Sequence, residues 1–233
     1  MAMFYSIYYD RGGRKSNQDS VALHKVTTKK GELIMALVSD GCGGMDDGEY
    51  AGGCVAEKMS AWFYEELINI VRRTDSISKI ERAADRKLFS IHEELKKTGG
   101  DRGRHIAATF TMLIVYRKRY LVLWLGDSPG VLLDRRINFL TSAGKFDTVL
   151  TKCVGCGRFF YPMSKRGWVK RNTAYMLTTD GMGKYLAEKR ISGPLLPAHI
   201  NSAKTADRTL KTIGKMLQNA GENDNISAVY IRF

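Results

Sequence analysis

The chain has 233 residues, 44% of them hydrophobic, and a formal net charge of +13. This length suffices for one apolar core, so we expect residues 1–233 to form a single domain. No apolar run approaches the length of a membrane span, and four cysteines without a secretory signal indicate a reducing, cytoplasmic setting. The basic balance favours phosphorylated or nucleic-acid partners without choosing between them.

The first half of the chain opens with strands and continues with helices. Apolar and alternating stretches predict strands at 3–10, 20–27 and 33–40. A long helix with one apolar face is expected at 48–73. A second helix would begin at a capping box formed by Ser78 and Glu81 and end at Gly99 and Gly100.

The second half is mostly strands, with helices near its end. The predicted strands are 107–116, 120–125, 131–133, 137–140, 174–179 and 226–233. Residues 141–172 form an irregular segment, and helices are expected at 181–188 and 203–217. Because strands and helices come in runs, the pattern favours an α+β fold with antiparallel sheets and helices layered outside.

Five aspartates share one local design, because each lies at a strand end or in the turn beside it. They are Asp19, Asp40, Asp127, Asp180 and Asp224. Asp40 is the most informative, since it ends an apolar run and enters a glycine-rich turn at 41–44. Converging carboxylates repel one another unless cations neutralise them, and Mg²⁺ and Mn²⁺ prefer oxygen ligands. The pattern therefore predicts a metal centre.

Six short motifs follow one another along nearly the whole chain. They are residues 14–20 (RKSNQDS), 38–44 with 48–49 (VSDGCGG and GE), 126–128 (GDS), 150–155 (LTKCVG), 179–181 (TDG) and 224–225 (DN). Each is weak alone, but in this order they resemble the metal-dependent protein phosphatases (the PPM, or type 2C, family), in a compact bacterial form. The resemblance implies an α-β-β-α four-layer sandwich, with two central antiparallel sheets flanked by helices.

The resemblance also implies a protein serine/threonine phosphatase with two Mn²⁺ or Mg²⁺ ions. Asp40 would bridge both ions, and Gly41 would offer its backbone carbonyl. Three further acids would bind directly or through waters: Asp19, Asp180 and Asp224. Asp127 resembles an acid of the family's third metal site. A water held between the ions would attack phosphorus, while Arg14 would hold the phosphoryl oxygens in a fork geometry.

The sequence departs from the family pattern at four places. Cys42 stands where some relatives carry a histidine proposed to protonate the leaving group, which leaves a metal-bound water as the acid. Pro129 replaces the usual arginine after residues 126–128. Lys184 replaces an acid associated with the third ion, so we predict two tight metals and a weak or absent third. The short segment 141–150 replaces a flap, which predicts broad peptide tolerance.

The implied partners are phosphorylated protein substrates and a cognate serine/threonine kinase, with the chain itself a monomer. Two alternatives remain: a catalytically silent phosphatase-like binding domain, disfavoured because the metal acids are present, and hydrolysis of a small phosphoester at the same centre. Basic and aromatic residues alternate at 158–161 and 165–171, as in some nucleic-acid sites. We interpret them as a hairpin with core aromatics and expect no nucleic-acid partner. Cys153 and Cys156 are interpreted as packing residues.

Overall fold

Antiparallel strands form the centre of the computed structural model, which describes residues 3–42, 45–141 and 152–233. The strands are β1 (Phe4–Asp10), β2 (Asp19–Thr28), β3 (Gly31–Cys42), β4 (Ala107–Ala108), β5 (Phe110–Tyr116), β6 (Arg119–Leu125), β7 (Gly130–Leu133), β8 (Ile137–Phe139), β9 (Met163–Trp168), β10 (Ala174–Thr178) and β11 (Ile226–Arg232). One sheet has the order β1-β11-β10-β7-β8, and we call it the first sheet. The second sheet has the order β2-β3-β5-β6-β9, with β4 paired to β3.

Helices cover the outer face of each sheet. They are α1 (Met45–Trp62), α2 (Ile68–Arg73), α3 (Ile77–Asp101), α4 (Asp180–Gly183), α5 (Lys189–Leu195) and α6 (Ala203–Asn219). A π-helical turn at Phe63–Leu67 joins α1 to α2, so the predicted helix at 48–73 is continuous but locally widened. None of the helices in the described ranges combines the length and apolarity that a bilayer span requires.

Three apolar layers hold these elements together. The second sheet packs on α1–α3 through side chains such as Leu37 and Leu88, and the first sheet packs on α4–α6 through Leu210. Between the two sheets lies a third layer that includes Val38 and Val229. Consecutive residues of β3, Leu37 and Val38, face different layers because side chains alternate along a strand. The predicted α-β-β-α sandwich of two antiparallel sheets is confirmed.

The expected start of the second helix is wrong. The helix α3 begins at Ile77 after Ser76, because Ile77 is buried in the helix-side layer and extends the apolar face by a turn. Ser78 therefore lies inside the helix, where its Oγ accepts a hydrogen bond from Nη1 of Arg166 at 2.9 Å. The helix also continues through Gly99 to Asp101.

Two elements of the second half also differ from expectation. Strand β9 lies inside the segment expected to be irregular, and it pairs with β6 although its own side chains are mostly exposed. The predicted helix at 181–188 is only the short α4, and α5 follows it as a separate helix. The aromatics of this region are not all core, since Tyr161 is 75% and Trp168 is 67% exposed.

Two adjacent glycines in α1 allow a direct test of how closely this helix packs against the start of β2. A Cβ at Gly52 would lie 2.7 Å from the carbonyl oxygen of Gln18, whereas a Cβ at Gly53 would meet no atom within 4 Å. We expect Gly53→Ala to raise the free energy of unfolding by about 0.5–1 kcal/mol through helix propensity. Gly52→Ala should lower it by about 1–3 kcal/mol, because α1 must move away from β2. Chemical denaturation of both variants measures the contrast, and equal effects would refute the packing argument.

Candidate metal centre

The five predicted aspartates come together at one end of the two sheets. Asp19 and Asp40 are directly paired across β2 and β3. Asp180 follows β10, and Asp224 precedes the neighbouring strand β11. Asp127 follows β6, and its charge acts on both Asp40 and Asp180.

Burial and mutual repulsion raise the pKa values of these carboxyls. Burial raises the pKa of Asp40 well above its ordinary value, and the charges of the four other aspartates raise it further. Burial is also the main cause that raises the pKa of Asp19 to about 7 and that of Asp180 to about 6. Holding these groups ionised at neutral pH therefore costs free energy, which a bound cation would offset.

The donor set fits hard divalent cations, since it offers carboxylate oxygens and the nearby Gly41 carbonyl. Within the described ranges, no three His, Cys, Asp or Glu side chains converge on a single ion position by themselves. Mg²⁺ commonly binds through one or two carboxylates and completes its shell with water.

A chain of hydroxyl groups fixes the end of β3. The backbone N–H of Asp40 donates to Oγ1 of Thr109 at 2.8 Å, and the backbone N–H of Thr109 donates to the Asp40 carbonyl at 2.8 Å. The same Thr109 hydroxyl lies 2.7 Å from Oγ of Ser128. Because Ser128 follows Asp127, this buried contact ties the Asp127 turn to Asp40. Thr109 also interrupts the predicted strand 107–116, because the Asp40 N–H donates to the Thr109 hydroxyl and the Thr109 carbonyl accepts from the Ser39 hydroxyl instead.

A second anchor joins the two sheets. Thr179, next to Asp180, donates its hydroxyl to Oδ2 of Asp19 at 2.8 Å and accepts from the backbone N–H of Ser227 at 3.2 Å. The hydroxyl thereby fixes a carboxylate of the second sheet against the first sheet. Sequence reasoning gave Thr179 no role, although it precedes Asp180 in one of the recognised motifs.

Asn225 holds the loop that carries Arg14. Its Oδ1 accepts from the backbone N–H of Gln18 at 2.9 Å, and its Nδ2 donates to the carbonyls of Arg11 at 2.7 Å and Ser16 at 3.0 Å. The amide group can satisfy all three partners because it carries both donors and an acceptor. This role was missed, although the Asp-Asn pair at 224–225 was the signal that could have indicated it.

Close approach of backbone explains the glycine at position 41. A Cβ there would lie 1.8 Å from the carbonyl oxygen of Gly48, in the first turns of α1. Any other residue would push α1 away from the end of β3. Gly41 thus lets the helix pack directly beside the carboxylate cluster.

Comparison with known proteins identifies the family. A family model described as protein phosphatase 2C matches residues 11–218. The chain belongs to the protein phosphatase 2C family. This membership confirms the resemblance seen in the motifs.

Individual relatives are more distant. A Mycoplasma pneumoniae protein, itself provisionally assigned as a protein phosphatase, is 29% identical over 126 residues, which cover 52% of this chain and 46% of that protein. The chain thus spans about half the length of this curated relative. The S. agalactiae serine/threonine phosphatase has a TM-score of 0.81 at 17% identity, over 99% of both chains. The catalytic domain of the serine/threonine protein phosphatase PstP, in complex with two manganese ions, has a TM-score of 0.78 at 18% identity, over 99% of this chain and 97% of that chain. At these identities the two structures show the shared fold.

Arg14 lies at the rim of the phosphatase 2C centre. Its Nε donates to Oδ1 of Asp224 at 3.1 Å, and its side chain is more than half exposed. This hydrogen bond, with the charge of Asp224, raises the pKa of Arg14. The guanidinium is therefore permanently charged, and its remaining N–H groups stand beside the cluster.

Lys184 brings a cation to the same centre, as the sequence predicted. Its Nζ lies 2.8 Å from Oε2 of Glu222, and the Tyr185 hydroxyl donates to the same oxygen at 2.7 Å. The other carboxylate oxygen of Glu222 accepts from the backbone N–H of Asp224 at 2.8 Å. Burial raises the pKa of Asp180, and the charge of Lys184 opposes that shift. Glu222 is a further residue that sequence reasoning missed, because its partners are visible only in the fold.

The other departures from the family pattern have distinct environments. Burial, assisted by the charge of Asp40, raises the pKa of the Cys42 thiol to about 12, so this thiol is protonated near neutral pH. Pro129 is buried against Gly183, where a Cβ would lie 2.5 Å from the proline Cγ. Cys153 is buried and Cys156 partly buried, both as free thiols. Apart from Thr141, the predicted short segment 141–150 lies outside the described residues, as does Thr151.

The raised pKa values predict how stability depends on pH in the metal-free protein. Carboxyls with pKa values near 6 and 7 in the fold, against about 4 when unfolded, favour folding at low pH and lose that contribution as the pH rises through 7. A tenfold change in the acid dissociation constant between the two states corresponds to about 1.4 kcal/mol. We expect Asp19→Asn, measured in chelator, to gain thermal stability relative to wild type between pH 5 and pH 8.

The matched control is Asp207→Asn, which removes an exposed carboxylate of α6 that pairs with Lys211. Its difference from wild type should change little over the same pH range. Mn²⁺ should stabilise wild type more at pH 8 than at pH 5. Parallel pH curves for wild type and Asp19→Asn would contradict the electrostatic argument.

Proposed function

We propose that this chain is a metal-dependent protein serine/threonine phosphatase acting on phosphoserine and phosphothreonine. The observation that carries the proposal is the convergence of four further aspartates on Asp40, whose pKa is raised by the charges of all four. Such a cluster is costly unless divalent cations occupy it. The family assignment and the manganese-bound PstP structure support the same reaction.

Asp40 would bind both of two Mn²⁺ or Mg²⁺ ions. The other ligands would be Asp19, Asp180, Asp224 and the Gly41 carbonyl. Asp127 would belong to a third site. When bound, such ions supply a water of lowered pKa as nucleophile and neutralise charge on the phosphoryl group. The chain's own contribution is to hold these carboxylates in place through the Thr109 hydroxyl and the buried contacts behind it.

Arg14 would orient the substrate. Its planar guanidinium can bind two phosphoryl oxygens at once, with specific geometry that an ammonium group lacks. The arginine would then exchange part of its contact with Asp224 for the phosphoryl group, while that aspartate turns to an ion. Cys42 is a poor proton donor at neutral pH, because its thiol pKa is about 12. The leaving oxygen would therefore take its proton from water.

The substrates we propose are phosphorylated proteins, including the products of a cognate serine/threonine kinase. The excess of basic residues suits such partners by long-range attraction. We further propose that residues 1–233 act as one domain, as a monomer in the cytoplasm.

Removing the central carboxylates tests the reaction. In Asp40→Asn and Asp180→Asn, kcat/KM on a phosphothreonine peptide with Mn²⁺ should fall by at least ~1000-fold, because the ions lose a charged ligand. The control variant Asp207→Asn should retain wild-type turnover. Removing the metal with chelator should abolish the turnover of both wild type and this control. A folded wild-type protein that binds Mn²⁺ yet turns over no phosphopeptide or small phosphoester would favour the silent binding domain.

The position of Lys184 predicts the number of ions. We expect two tight Mn²⁺ ions and a weak or absent third, because an ammonium group next to Asp180 repels an additional cation. Anomalous scattering from Mn²⁺-soaked crystals measures the occupancies. A fully occupied third position near Asp127 would contradict the prediction, whereas Lys184→Met should increase occupancy there.

A further inference from the structure

Exposed aromatic rings and arginines cover one face of the molecule, where α3 meets the segment 158–168. We call it the arginine–aromatic face and define it by six residues: Arg82, Arg86, Phe89, Arg158, Tyr161 and Trp168. Phe89 is 48% exposed, and Tyr161 and Trp168 are more exposed still. Large apolar side chains grouped on a surface and surrounded by polar groups are typical of protein-binding sites.

Direct contacts make this face continuous. The Phe159 ring lies between those of Phe89 and Tyr161, with ring centroids 5.1 and 5.4 Å apart. Arg82, Arg86, Phe89 and Tyr161 line one surface cleft together with Asp85. Further along α3, the bond from Arg166 to Ser78 connects this helix to β9 and so to Trp168.

The charge of the face is strongly positive. Within the described part of the chain, no salt bridge engages Arg82, Arg86 or Arg158. Asp85 lines the same cleft, and although burial and the charge of Glu81 raise its pKa to about 6, it is mostly ionised at neutral pH and offsets part of the charge of Arg86. The other two arginines keep the face net positive. The arginines are therefore available to an acidic partner.

The segment that leads into the face starts near the aspartate cluster. Cys153 lies close enough to Cys42 and Asp127 for their charges to affect its ionisation. The chain runs from Cys153 through the turn at Gly155, where the backbone N–H donates to Nδ1 of His92 on α3 at 3.0 Å, to Arg158 and Tyr161. A polypeptide bound at the centre could therefore follow this segment toward α3.

We propose that the arginine–aromatic face docks an acidic segment of the phosphoprotein substrate, outside the catalytic centre. The proposal rests on the proposed function, since it names the feature of the substrate that this phosphatase selects. Arginine clusters recognise acidic and phosphorylated motifs, and arginine with aromatic residues dominates the binding energy of many protein interfaces.

The ring arrangement favours a protein over a nucleic acid. Base stacking needs open ring faces. Here the Phe159 contacts to Phe89 and Tyr161 are edge-to-face, and Arg119 lies over the Trp168 ring at 5.8 Å. Arg158 likewise covers the Phe160 ring at 4.8 Å. Ring edges and partly covered faces suit aliphatic side chains between acidic groups.

Charge reversal tests the proposal by direct binding. The probe is a fluorescent peptide with one phosphothreonine followed by a run of glutamates, measured by anisotropy in the full chain. Arg82→Glu combined with Arg86→Glu should weaken binding by at least ~10-fold at low salt, and added salt should narrow the difference. Phe89→Ala combined with Tyr161→Ala should also weaken it, through the apolar contacts.

The control makes the same change of charge on α6, with Arg208→Glu and Lys215→Glu, which are exposed on the other side of the sandwich. If the control loses as much peptide affinity as the arginine variant, net charge alone attracts the peptide, and the proposal is overturned. The proposal is also overturned, in favour of a nucleic-acid site, if the protein binds an oligothymidylate more tightly than the peptide and Tyr161→Ala abolishes that binding. Hydrolysis of p-nitrophenyl phosphate by wild type is scored separately, so peptide binding without turnover would refute the proposed function and leave the docking face standing.

Discussion

Mutual repulsion among buried carboxylates is the constraint around which this molecule is arranged. Asp40 is raised in pKa by its burial and by four neighbouring acids, and such a group would be rejected from an ordinary core. Hydrogen bonds from the surrounding residues hold the carboxylates together despite their repulsion. The Thr109 hydroxyl accepts from the Asp40 N–H, and the Thr109 N–H donates to the Asp40 carbonyl. The Thr179 hydroxyl donates to the carboxylate of Asp19.

The supporting groups are neutral hydroxyls and amides, with one half-buried ion pair between Lys184 and Glu222. Hydroxyls can donate to a carboxylate and accept from an amide at once, so they fix geometry without adding charge. Glu222 differs, because it places a further carboxylate near the centre and pairs it with Lys184. Glu222 also accepts from the backbone N–H of Asp224, which stiffens that turn, and the charge of Lys184 acts on Asp180. The same residues thus determine both the shape and the charge of the centre.

A feature of the fold or of the site could be predicted from the sequence when the residues that determine it are close together in the chain. The aspartates were predictable, because each ends or borders an apolar strand and lies in a short motif with glycine or asparagine. The roles of Thr109 and Glu222 were not, since they depend on partners far away in sequence and no spacing rule marks them. The role of Asn225 was marked only by its place in the motif at 224–225, which does not reveal its partners. The bounds and partner of β9 were missed, although a hairpin was expected at 158–171, because the side chains of this strand are largely exposed and show no alternation. The capping box at Ser78 failed because a buried Ile77 outweighed the local signal.

The position of β11 has a consequence for how the protein matures. This strand is the last element in sequence, yet it lies between β1 and β10 inside its sheet. Asn225, at its start, reaches back 207 residues to Gln18 and 214 residues to Arg11. Contacts of such long range form late, because closing a large loop must precede any gain from the contact. A chain emerging from the ribosome could therefore assemble the second sheet with α1–α3 early, while activity awaits insertion of the last strand.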